Sequence, residues 1–224
     1  MKKRKILLLS DDLRLPSGVG TVSKHIVLGT VDTFDWVQVG AAVKHPDQGK
    51  IFDLSEDARK LTGVEDASVK VYPWTGYGNP DLIRQLMNQE QPDAILHFTD
   101  PRQWLWLYNM EHEIRQNIPI FFYHIWDNIP DPQYNRNYYE SCDWIGCISK
   151  QTYGITKRVW GLENRVTWKT PTENQVDYIP HGIDTEFYRP LDEDDELMVE
   201  MRNQLFEGDD VNFTLLYNSR NIRR

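Results

Sequence analysis

From residue 4 onward, short apolar runs alternate with amphipathic stretches, and this alternation constrains the fold more than any other feature of the chain. Parallel βαβ units read this way. A strand covered on both faces is apolar throughout, whereas each connecting helix is apolar on one side only. The pattern predicts strands at Lys5 to Ser10, Trp36 to Val43, Val69 to Trp74, Ala94 to Phe98, Ile120 to Ile125, Trp144 to Ile148 and Val176 to Ile179. Asn79-Pro80 and Asp100-Pro101 each set a capping side chain before a proline at the first helical position, where the missing N–H costs no hydrogen bond. After them Leu82, Ile83, Leu86 and Met87 share one face, as do Trp104, Leu105, Leu107 and Tyr108. Further helices are predicted at Gly20 to Val31, Tyr134 to Ser141 and Lys150 to Val159. The fold class is α/β, a Rossmann-like doubly wound parallel sheet.

Residues 161 to 175 show no period and are rich in Thr, Asn and Glu, which predicts a surface loop. Beyond Pro190 the character changes. The acidic run Asp192 to Glu196 precedes Leu197, Met198, Met201 and Leu205 at helical spacing, where carboxylates in a first turn complement the dipole. A calcium loop would instead need spaced ligands and a mid-loop glycine. After the turn Gly208-Asp209-Asp210, the apolar run Val211 to Tyr217 predicts a new strand with no helix to cover it. The expected organisation is one domain over residues 1–190, an acidic linker and helix over 191–210, and the truncated start of a second domain over 211–224.

A net charge of −9 opposes loose binding to phosphate backbones, so nucleic acid has no strong signal here. The longest purely aliphatic run, Ile6 to Leu9, is far short of the roughly 20 residues of a membrane helix. It is also too short to make a signal peptide of the basic start Met1 to Lys5. A cytoplasmic setting is expected, with peripheral membrane contact left open. Cys142 and Cys147, on a strand of about 3.3 Å per residue, would lie roughly 16 Å apart and are read as two reduced thiols.

Three features carry candidate chemistry. Pro16-Ser17-Gly18-Val19-Gly20 opens a helix after the first strand, where backbone N–H groups favour an anion. A dinucleotide fingerprint fails because Ser23 stands at the third glycine position, and simple turn geometry explains the pair equally well. Strand ends at the expected carboxyl edge carry His97 with Asp100, and His124 with Trp126 and Asp127. Such histidines bind sugar hydroxyls or move protons, or else satisfy neighbouring backbone groups. The spacings match no standard metal pattern. Among the aromatic residues Trp74, Tyr77, Trp104, Trp106 and Trp126, Trp104 belongs to the core, and Trp126, in a polar loop, is the better ligand candidate.

The segment Val176 to Pro190, VDYIPHGIDTEFYRP, resembles the V-I-P-N-G-V-D-x-x-x-F-x-P segment of family 4 retaining glycosyltransferases of the GT-B fold. Pro16 to Gly20 looks like that family's glycine-rich loop, and Phe121 to His124 like its inner strand ending in histidine. Cys147-Ile148-Ser149-Lys150 is similar to its helix start, and Phe213 to Arg220, FTLLYNSR, to the F-x-L-x-x-G-R strand opening its second domain. The order is right along nearly the whole chain. His181 replaces the usual asparagine, Asn218-Ser219 stands where small residues and a glycine are typical, and residues 161 to 175 are longer than expected.

The resemblance implies the N-terminal, acceptor-side half of a GT-B fold, with chemistry in the cleft against an absent donor-binding domain. Gly18 and Gly20 would approach the donor diphosphate, Arg220 would neutralise it as it leaves, and His124 would hydrogen-bond the transferred sugar. Trp126, Asp127, His97, Asp100 and His181 would face the acceptor. A lysine partner of Arg220 and paired glutamates would follow Arg224, so the chain by itself is expected not to catalyse. Nucleotide sugar is a co-substrate, and no cofactor or metal is implied. The acceptor stays open among glycan, lipid, small molecule and modified DNA. Other readings are a GT-B sugar-nucleotide epimerase or phosphorylase, and a non-catalytic sugar-binding half-protein or subunit of a split enzyme.

Overall fold

The computed structural model describes residues 2–42, 44–161, 173–207, 211 and 213–215. The chain divides into a compact unit Met1–His181 and a second, Gly182–Arg224. The first is built on eight strands: β1 (Arg4–Asp11), β2 (Phe34–Ala41), β3 (Phe52–Asp53), β4 (Val69–Pro73), β5 (Ala94–Phe98), β6 (Ile120–His124), β7 (Trp144–Cys147) and β8 (Val176–Tyr178). They form one sheet in the order β3-β4-β2-β1-β5-β6-β7-β8, in which every neighbouring pair is parallel except β3 with β4. The seven strands predicted between Lys5 and Ile179 are all present.

Alternation along β1 shows how the sheet is covered on both faces. Leu7 and Leu9 point into one core with Val37, Val39, Ile95 and Phe122, and Ile6 and Leu8 into another with Trp36, Val69 and Val71. Helices α1 (Gly18–Leu28) and α2 (Ser55–Thr62) supply Val27 and Ala58 to the second core. The first is covered by α3 (Pro80–Glu90), α4 (Leu105–Asn109), α5 (Glu111–Ile114), α6 (Arg136–Glu140) and α7 (Lys150–Trp160). Cys142 and Cys147 are free thiols in that core, where burial raises both pKa values, that of Cys147 to about 11.

Of the two proline-led helices, one changes in detail. Asn79 caps α3 as expected, its side chain accepting from the Leu82 N–H at 2.9 Å. Asp100 instead caps a four-residue 3-10 turn, Pro101–Trp104, before α4 begins. The tighter turn rotates the following residues, so Trp104, Leu107 and Tyr108 are buried while Leu105 is 49% exposed. β3 and α2 were not predicted.

In the second unit, α8 spans Glu196–Phe206. Of the acidic run, Asp195 is the N-cap and Glu196 alone lies in the first turn. Leu197, Met201 and Leu205 are exposed. Val211, Phe213, Thr214 and Leu215 lie in no strand, and none of the eight strands pairs with them; the other residues of the predicted 211–217 strand lie outside the described residues. Among the described residues, no helix is long and apolar enough to cross a membrane.

Candidate functional site

β1 has β2 on one side and β5 on the other, so crossovers depart in opposite directions from it. The crevice beyond the carboxyl ends of β1 and β5 is the topological switch point, where open α/β sheets take ligands. Segments leaving β1, β5, β6, β7 and β8 carry Gly18 and Gly20, Asp100, Trp126 and Asp127, Ser149, and His181 at that edge of the sheet.

In the loop after β1, Ser17 caps α1: its Oγ accepts from the Gly20 N–H at 2.9 Å and donates to Asp11 Oδ2 at 3.0 Å. The two glycines differ. A Cβ at Gly20 would meet the Asp12 and Leu15 carbonyl oxygens, each at 2.8 Å, whereas one at Gly18 would meet nothing within 4 Å. Gly20 is required by packing, and Gly18 borders open space. Asp12 turns inward, fully buried, and its carboxylate binds the Arg14 guanidinium at 2.7 to 3.2 Å. Asp11 stays at the edge, where partial burial raises its pKa against the opposing Ser17 bond.

His97 and His124 are both fully buried and flank Phe122, with centroids 4.9 and 4.8 Å from its ring. His124 accepts the Trp126 N–H at Nδ1 (3.2 Å), so its proton is on Nε2, which donates to Tyr139 Oη at 2.8 Å. Both nitrogens are engaged internally. His97 Nδ1 lies 2.6 Å from Tyr108 Oη, and its Nε2 finds no hydrogen-bond partner among the described residues. Desolvation pushes both pKa values down to about 3, keeping both rings neutral.

At the outer edge, Arg102 grips Asp100 through Nε and Nη2 at 2.5 to 3.1 Å, holding its carboxyl below the ordinary value against the effect of burial. The same guanidinium lies 5.2 Å over the Trp126 ring. Trp126 is also fixed through its carbonyl, which accepts from Thr152 Oγ1 at 2.7 Å, and its indole N–H, which donates to the Asn128 carbonyl at 2.9 Å. Asp127 is exposed beside it. Trp104 is fully buried, in edge contact with Tyr77. Burial raises the Tyr77 pKa, helped by the charges of Asp11 and Asp100. Tyr123 Oη lies 2.9 Å from the Ile179 carbonyl oxygen and 3.0 Å from Nδ1 of the exposed His181. Arg220 lies outside the described residues.

Three residues join this set without having stood out in the sequence: Asp11, Arg102 and Tyr123. Strand alternation was the available signal for Asp11, since neighbours on a strand face opposite ways. Arg102 and Tyr123 are placed by tertiary contacts.

No protein-family model and no curated protein sequence matches the chain. In structure it is similar to OtsA in its apo form, with a TM-score of 0.53 and 12% identity over 91% of this chain and 55% of that one. It also aligns with UGT71G1 from Medicago truncatula complexed with UDP-glucose, with a TM-score of 0.40 and 8% identity over 93% of this chain and 58% of that one. The chain spans a little over half the length of each. The likeness to OtsA shows the fold, a doubly wound, Rossmann-like α/β arrangement of the GT-B type.

Proposed function

We propose that this chain is the N-terminal, acceptor-side half of a retaining glycosyltransferase that moves a sugar from a nucleotide-sugar donor to an acceptor hydroxyl. One observation carries the reading. Segments that resemble family 4, scattered along the sequence, leave the carboxyl edge of one sheet at β1, β6, β7 and β8, on the run of parallel strands that contains its switch point.

In this reading the α1 N-terminus at Gly18 faces the donor diphosphate, with Gly20 packing the helix close enough to do so. Arg220 stabilises the leaving diphosphate as negative charge develops on it. Asp100, Asp127, Trp126 and His181 bind the acceptor, a glycan, lipid or small molecule: the indole face covers the apolar side of a sugar, and the carboxylates take its hydroxyls. His97 and His124 act beneath this surface. His124 holds the Trp126 backbone, and binding the transferred sugar directly would require one of its two internal bonds to open. Charge neutralisation comes from side chains and a helix terminus, without a metal or cofactor.

The test uses the natural full-length protein with UDP-glucose, ADP-glucose, GDP-mannose and UDP-N-acetylglucosamine, reading nucleoside diphosphate release and calorimetric binding. Release from one donor, lowered by orders of magnitude in Arg220→Ala, is expected. Failure to bind any of the four, or normal turnover in Arg220→Ala, counts against the assignment.

A further inference from the structure

A neutral imidazole offers a lone pair at one nitrogen only, so the position of its proton decides what His181 can bind. Tyr123, 7% exposed in β6, has its hydroxyl between the Ile179 carbonyl oxygen at 2.9 Å and His181 Nδ1 at 3.0 Å. A carbonyl accepts and never donates, and a phenol has a single proton. Both contacts are hydrogen bonds only if Tyr123 donates to Ile179 and accepts from an Nδ1–H of His181. The ring is then held in edge contact by Phe98 at 6.0 Å and Tyr123 at 5.4 Å, and no described residue hydrogen-bonds Nε2.

We propose that Tyr123 is a positioning residue that locks His181 in the Nδ1–H tautomer, so that Nε2 accepts a hydrogen bond from a hydroxyl of a bound sugar or polyol. The ligand class rests on the transferase reading; the tautomer is a property of this chain alone. An unconstrained histidine side chain favours the proton on Nε2, so the Tyr123 hydroxyl works against the intrinsic preference. Among the described residues, the rings in contact with His181 are Phe98 from β5 and Tyr123 from β6, and burial rather than a neighbouring charge is what shifts its titration. Partial burial lowers the His181 pKa, which keeps the ring neutral at neutral pH. The asparagine usual in the resembling segment would present an amide here, with a donor as well as an acceptor; His181 presents an acceptor alone.

The experiment is ring ¹⁵N–¹H correlation NMR on the full chain labelled at histidine, at pH 7.5, with His181→Gln to assign the signal. Nε2 of His181 is expected to be unprotonated. Tyr123→Phe is expected to shift the majority to the Nε2–H form with the amide spectrum otherwise kept. Glucose, used as the hydroxyl probe, should move the Nε2 resonance toward the hydrogen-bonded position, permethylated glucose should not, and Tyr123→Phe should lose the response. A proton on Nε2 in the parent chain, a tautomer unchanged by Tyr123→Phe, or an Nε2 unmoved by glucose overturns the proposal. The first of these needs no variant, so it decides even where Tyr123→Phe fails to fold. Absent nucleotide-sugar turnover with the three results intact removes the transferase reading and leaves the tautomer lock in place.

Discussion

The buried carboxylate of Asp12 rests against the backbone of Gly40: a Cβ at Gly40 would meet Asp12 Oδ2 at 2.6 Å and Cγ at 2.8 Å. Asp12 cannot swing aside, because the Arg14 backbone N–H at 2.9 Å and the Arg14 guanidinium both hold it. Gly40→Ala should therefore behave as an overpacked core substitution and lower stability by roughly 2 kcal/mol. Urea unfolding of the two chains measures it, and an unchanged midpoint would show that Asp12 yields.

Gly18 and Gly20 should separate packing from ligand approach. Gly20→Ala drives its methyl into two backbone carbonyl oxygens, which have no flexible end to give, and is expected to cost about 1–3 kcal/mol. Gly18→Ala meets open space and should leave the unfolding midpoint within the equivalent of ~0.5 kcal/mol. In the full-length protein, Gly18→Ala should weaken nucleotide-sugar binding several-fold while stability holds. Equal effects of both substitutions on binding and on stability would contradict the separation.

The strands were legible because a parallel strand buried on both faces leaves little but apolar side chains, as ILLL in β1 and IFFY in β6 do. β3 and α2 left no such trace. β3 has two residues, and α2 buries only Ser55 and Ala58, so neither has an apolar stripe to find. Within the candidate site, sequence placed His97 and His124 at strand ends but not in the core. Their neighbours, Leu96, Phe98 and Tyr123, gave the hint, since a histidine inside an apolar run is usually enclosed with it. The adjacent carboxylates diverge, as strand alternation requires: Asp12 is locked to Arg14, and Asp11 is at the edge beside Ser17.

His97 and His124 should make the fold acid-sensitive well above the carboxylate range. In the folded chain both pKa values lie near 3, whereas in the unfolded chain they return to about 6.5. Below pH 6.5 the unfolded state binds more protons, so stability is full above that pH and falls as pH drops toward 3. The slope approaches ~1.4 kcal/mol per pH unit for each histidine. Urea midpoints at pH 7.5 and pH 5 should differ accordingly. Tyr139→Phe, which strips the acceptor from His124 Nε2–H, should cost a further ~1–3 kcal/mol at pH 7.5. A midpoint flat between pH 7.5 and pH 5 would place both rings in contact with water.

Arg102 joins two edges of the candidate site, gripping Asp100 after β5 while stacking over Trp126 after β6. Its side chain is 54% exposed, so the ion pair is screened by solvent and contributes little to stability, on the order of 1 kcal/mol or less. Its value is geometric: the planar fork orients one carboxylate and one indole together, which a lysine does not reproduce. Arg102→Lys should therefore leave the unfolding midpoint nearly unchanged and alter the indole environment of Trp126, seen as a fluorescence shift that disappears in a Trp126→Phe background. In the full-length protein the same change should raise the KM for the acceptor several-fold with kcat for donor hydrolysis kept, because only the acceptor side has lost its alignment. A fall in kcat for both reactions at constant acceptor KM would instead assign Arg102 to the donor side.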